Sequence, residues 1–63
     1  MKKYGIYDGR GRVVTDQDGH SRVWETKKQA EKDAEYLSHK LGIELRVCEA
    51  VYGRHPLSVS IPI

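Results

Sequence analysis

The chain has 63 residues, with 11 Lys and Arg against 9 Asp and Glu, for a net charge of +2. That length allows one small domain with a thin stability margin, and so mild a charge does not by itself indicate a nucleic-acid partner. No apolar run approaches a membrane span or a signal peptide. The lone Cys48 excludes an internal disulfide and a cysteine-based zinc site, so a reducing, cytoplasmic setting is the simplest expectation. No repeat is evident.

Residues 3–7 read as a strand, with Tyr4 and Ile6 on one face and Gly5 and Tyr7 on the other. Asp8-Gly9-Arg10-Gly11 is a turn by composition. A four-residue loop there opposes Ile6 to Val13, whereas a two-residue turn would oppose Ile6 to Gly11 and lose an apolar contact. The longer loop is therefore expected. The second strand spans 12–15, and Asp18-Gly19 signals the next hairpin. A two-residue turn at that point places Val13 opposite Trp24 and Val14 opposite Val23. The expected helix-covered face then carries Tyr4, Ile6, Val13 and Trp24. The expected open face carries Gly5, Tyr7, Arg12, Val14 and Val23.

A helix is predicted over 27–41. Thr26 is a good N-cap, and Gln29 three residues on completes a capping box. Ala30, Ala34, Leu37 and Leu41 fall on one stripe, among Lys, Glu, Asp and Gln. Gly42 suits the left-handed terminus, and His39 and Lys40 suit the negative end of the dipole. Lys27 and Lys28 oppose that dipole, so they are either screened by solvent or turned to an acidic or phosphate-bearing partner.

The last clear strand runs over 43–52, with Ile43, Leu45, Val47 and Val51 on one face. Arg46, Cys48, Ala50 and Tyr52 share the other. A crossover from the third strand through the helix should make it parallel to the first and third. The expected fold is α+β: a two-layer sandwich in which one helix covers one face of a four-stranded mixed sheet of order β-β-β-α-β along the chain. The domain covers 1–54. Gly53-Arg54-His55-Pro56 breaks the last strand, and 55–63 is an extended tail in which Leu57, Val59 and Ile61 alternate with serines. Three fates stay open for that tail: disorder, folding back as an edge strand of its own sheet, or addition to another chain.

Chemistry-bearing patterns are few. Asp16-Gln17-Asp18-Gly19 opens like a calcium loop, but its twelfth position is Lys27 where a bidentate Glu is required. Gly9-Arg10-Gly11 lacks the third glycine and the strand-to-helix setting of a dinucleotide loop. His20, His39 and His55 have no metal-ligand spacing, and a mid-strand Cys48 reads as packing. Glu31, Asp33 and Glu35 belong to a solvated helix face. No catalytic residue, metal or cofactor is expected.

The reading that remains is a non-catalytic binding module, of the size of a bacterial or phage accessory or inhibitor protein. It docks a protein partner through its open sheet face or its C-terminal edge. Tyr7, Arg12, Val14, Val23 and Tyr52 are the candidate contact residues, since tyrosine and arginine on an uncovered apolar face have the composition of an interface centre. The alternative is nucleic-acid binding, with Arg10, Arg12, Arg22, Lys27 and Lys28 on phosphates and Tyr7 and Tyr52 stacking on bases. Homodimerisation through the tail or the open face would suit so small a core.

The run Val23-Trp24-Glu25-Thr26-Lys27-Lys28-Gln29-Ala30-Glu31, after a turn-rich pair of strands, resembles the arm-type DNA-binding domains of phage-type tyrosine integrases. The resemblance covers about residues 4–41. It implies a three-stranded sheet followed by a helix, with the sheet placed in the DNA major groove. The strand at 43–52 departs from that pattern.

With Trp24 on the helix-covered face, Trp24→Ala should destabilise the domain by about 3–5 kcal/mol. Chemical unfolding reads this directly. Near-unchanged stability would instead place the indole on the open face, since a one-residue slip exchanges the two faces.

Overall fold

The computed structural model describes residues 2–50 and 52–63. Along the chain come β1 (Tyr4–Asp8), β2 (Val13–Thr15), α1 (Lys27–Leu41), β3 (Leu45–Glu49), a 3-10 turn (Leu57–Val59) and β4 (Ser60–Pro62). The strands form one mixed four-stranded sheet of order β3-β1-β2-β4. β1 is antiparallel to both neighbours, and β2 and β4 are parallel. The fold is thus the expected α+β sandwich, with α1 packed on one sheet face. Among the described residues no helix is long and apolar enough to cross a membrane.

The helix forms as its sequence dictates. The Thr26 hydroxyl accepts the Gln29 N–H at 3.2 Å. At the other end Gly42 takes φ 69°, and its N–H donates to the Ser38 carbonyl. The Ser38 hydroxyl donates in turn to the Ile43 carbonyl at 2.6 Å, which turns the chain toward β3. Ala30, Ala34 and Leu37 are buried, but Leu41 is 37 % exposed, so the apolar stripe ends one turn early.

The first hairpin differs from expectation by one residue. Asp8 N–H donates to the Arg12 carbonyl, which leaves Gly9, Arg10 and Gly11 in the loop, with Gly11 at φ 84°. Tyr7 pairs with Val13, so Ile6 lies opposite Val14 rather than Val13. Because side chains alternate, the one-residue shift exchanges the faces of the two valines. Val14, expected on the open face, is fully buried with Ile6, Ala34 and Leu37.

The expected third strand is reduced to separate bridges, Thr15↔Ser21 and Tyr4↔Trp24. β1 and β2 pair only at Tyr7↔Val13 and then splay. The returning chain enters that gap. Arg22 N–H donates to the Val14 carbonyl at 3.1 Å, and Tyr4 and Trp24 exchange two bonds of 2.8 Å each. The bridge to Val14's neighbour and the bridge to Tyr4 are both antiparallel, so the chain reverses between Arg22 and Trp24. The three-stranded meander implied by the likeness to arm-type domains is therefore absent.

That reversal also overturns the expected parallel last strand. α1 starts beside the Tyr4 end of β1 and finishes beside its Asp8 end. β3 must then run back, pairing Asp8 with Leu45 and Tyr4 with Glu49, antiparallel. It covers 45–49 rather than 43–52, and Val51, expected on its inner face, lies outside the described residues.

The tail folds back on its own sheet. Val13 pairs with Ser60, Val14 with Ile61 and Thr15 with Pro62. Ile61 is buried and Ile63 packs against the core, whereas Leu57 is 83 % exposed in the 3-10 turn. The sheet face away from the helix is not bare either. Val13 and Thr15 lie on it and are buried. The connection from β3 to β4 joins the two sheet edges and is tied down midway. Ser21 N–H donates to the Gly53 carbonyl (3.0 Å), and His55 N–H donates to the Gly19 carbonyl (2.8 Å).

Ile6→Ala should lower the unfolding free energy by about 2–5 kcal/mol. Leu57→Ala should change it by no more than about 0.5 kcal/mol, as for an isolated surface side chain. Urea unfolding followed by Trp24 fluorescence separates the two.

Candidate functional site

Two turns of the chain are built alike. In Asp8-Gly9-Arg10-Gly11-Arg12 the Asp8 Oδ1 accepts the N–H of Arg10 (2.9 Å) and of Arg12 (2.7 Å). In Asp16-Gln17-Asp18-Gly19-His20 the Asp16 Oδ1 accepts the N–H of Asp18 (2.9 Å) and of His20 (3.0 Å). Each aspartate N–H donates to the carbonyl four residues on, and each glycine N–H donates back to the aspartate carbonyl. Each glycine has positive φ, 84° at Gly11 and 86° at Gly19. A basic side chain at the fifth position returns to the aspartate. Arg12 Nε reaches Asp8 Oδ2 at 2.6 Å, and His20 Nδ1 lies 3.9 Å from Asp16 Oδ1. The sequence thus does contain a short repeat, Asp-x-x-Gly-basic, where none was expected. The matching offsets of Asp, Gly and the basic residue are the signal that reveals it.

The carboxylates respond to these donors. Burial pushes the Asp8 pKa up, but the Arg12 N–H, the Arg12 guanidinium and the Arg10 N–H outweigh it and hold the group below its ordinary value of 3.8. Asp16 is also lowered, chiefly by the His20 N–H, against some desolvation and with help from the Asp18 N–H and the His20 and Arg22 charges. Ligand atoms of Asp16, Asp18 and His20 lie within 4.8 Å of one another. One Asp16 oxygen already accepts two backbone N–H groups there, so the turn itself accounts for the clustering.

The residues expected to bind a partner do not form one surface. Val14 is in the core. Tyr7 is half-buried on the face away from the helix, with its ring lying along Gly5, where a Cβ would approach Cε1 to 3.1 Å. Arg12 is held by Asp8. Tyr52 is 59 % exposed. Val23 is half-buried and lines a cleft on the helix side. The basic residues are spread likewise. Arg10 and Arg12 border a hollow with Ile43 and Glu44, while Arg22 belongs to the cleft with Val23. Lys27 and Lys28 are exposed at the start of α1, and Lys27 also borders the groove between α1 and β3.

Two arrangements were not anticipated. The first is the cleft itself, about 420 Å³, between α1, the 22–24 segment and the end of the chain. Arg22, Trp24 and Tyr36 converge on it, with Leu37 and Ile63 beneath. Trp24 Nε1 donates to Asp33 Oδ2, which pins the indole against α1. Tyr36 is 63 % exposed on a helix face otherwise read as solvated. The second is a hydrogen bond between Ser21 Oγ and His55 Nε2. Among the described residues no carboxylate hydrogen-bonds the His55 ring, so the pair lacks the third member of a nucleophilic triad. Its evident work is to fasten the β3–β4 connection to the second turn. No protein-family model, no curated protein and no solved structure matches the chain.

The lowered Asp8 pKa has a definite sign. Its contribution to stability is complete above the unfolded value of 3.8 and is lost as pH falls toward the lower folded value. Wild-type thermal stability should therefore drop as pH falls below about 4, in the manner of a native-state carboxylate. Asp8→Asn should be less stable at neutral pH and show a smaller drop. An equal acid drop in both proteins would assign the effect elsewhere.

Proposed function

We propose that the protein is a non-catalytic binding module that docks a protein partner in the cleft between α1 and the 22–24 segment. The observation that carries this is the convergence of Arg22, Trp24 and Tyr36 on one concavity. These are the three residue types that dominate interface energetics when they line a common pocket. The Trp24 ring is already held by Asp33, so little side-chain entropy is lost when a partner covers it. Among the described residues Arg22 has no ion-pair partner. The occupant that fits is an apolar partner side chain with a carboxylate close by, the first on Trp24, Leu37 and Ile63, the second on Arg22.

The nucleic-acid alternative asks Arg10, Arg12, Arg22, Lys27 and Lys28 to act as one strip. Arg12 is engaged by Asp8, and Arg10 and Arg22 border separate hollows, which is why the protein-partner reading leads. Salt dependence separates the two, because several phosphate contacts impose a steep loss of affinity with salt.

Immobilised wild type should retain a protein from nuclease-treated lysate, and Arg22→Glu with Tyr36→Ala should weaken that retention about tenfold or more. The variant should melt like the wild type, since both side chains are exposed. Equal retention by both, or retention that vanishes with nuclease, overturns the reading.

A further inference from the structure

The two edges of the sheet differ. β4 has three residues and contains Pro62, so it offers little backbone to a further strand. β3 has five residues and, among the described residues, hydrogen-bonds on one side only, to β1. Ala50 N–H donates to the Lys3 carbonyl at 2.9 Å. By antiparallel alternation Arg46, Cys48 and Ala50 direct their backbone groups to β1, and Leu45, Val47 and Glu49 direct theirs outward. On the helix side Leu45 and Val47 are only half-buried, beside a groove of about 470 Å³ between α1 and β3. On the other side Glu44 and Arg46 are 83 % and 73 % exposed, 4.0 Å apart.

We propose that this edge pairs with the same edge of a second copy, antiparallel about a two-fold axis at Leu45. The register follows from charge. With the axis at Leu45, each Glu44 faces Arg46 of the second copy and the two Leu45 side chains meet. An axis at Arg46 would set the two guanidinium groups against each other. An axis at Val47 would set Leu45 against Glu49. Of the three, the Leu45 axis alone joins opposite charges to each other and apolar residues to each other. The contact is isologous, so it closes at two chains and does not propagate. It also covers the outward N–H and C=O groups that an unpaired edge leaves to other strands.

Sedimentation equilibrium of the full chain, run to high micromolar concentration, tests the proposal. The wild type should dimerise. Glu44→Arg and Arg46→Glu should each raise the dimer dissociation constant about tenfold or more, because two like-charged pairs replace two opposite ones. The double exchange should restore it. Dilute samples of all four proteins should melt alike. A wild type that stays monomeric overturns the proposal, as does a dimer that ignores the single exchanges or is not recovered by the double one.

Discussion

The Asp8 carboxylate is the group on which the rest of the structure depends. Its side chain is 4 % exposed, and a buried carboxylate is costly unless donors surround it. Two backbone N–H groups and the Arg12 guanidinium supply them. Those donors hold the loop at three residues and Gly11 in its left-handed turn. The loop length then decides that Val14, not Val13, meets Ile6 beneath α1. A local arrangement of five residues thereby selects which side chains form the core.

The second turn, built on Asp16, extends the consequence. It sends the chain back into the gap between β1 and β2 rather than beside β2 as a full strand. Because the chain reverses there, α1 begins at the Tyr4 end of β1, and β3 returns antiparallel to it. β2 is left with a free outer side, which β4 takes up in parallel. The tail has a place in the sheet because the third strand does not form.

The helix was legible in the sequence because each signal for it was local: Thr26 as cap, the spacing of Ala30, Ala34 and Leu37, and Gly42 as stop. The hairpin register was not. Val13 and Val14 are both apolar, so alternation alone cannot say which points inward, and the hydrogen bonds of the Asp8 turn decide. The α+β class survived that error because it depends on the number and order of elements, not on register. Of the cleft, the sequence points to Arg22 and Val23 on other grounds, and to Trp24 as a helix-side residue. Tyr36 is not legible there, because it stands among Lys, Glu and Asp on a helix face that reads as solvated. Its meeting with Trp24 follows from how the 22–24 segment packs, and no spacing rule shows that.

A single helix ordinarily leaves one sheet face to solvent, and here that face is open only in part, exposed at Arg46 and Cys48 and buried at Val13 and Thr15. The connection pinned at Gly53 and His55 joins the sheet edges. This matters for function. The sequence points to an open sheet face as the interface, but of its expected valines Val14 is in the core and Val23 lines the cleft on the helix side. The features left unsatisfied at the surface are of two other kinds. One is a concavity lined by Arg22, Trp24 and Tyr36, in which Arg22 forms no salt bridge among the described residues. The other is a strand edge whose outward backbone groups lack partners among the described residues. The first suits side-chain recognition and the second backbone pairing. They lie on different sides of α1, one between the helix and the 22–24 segment and one between the helix and β3. Occupation of one therefore leaves the other accessible.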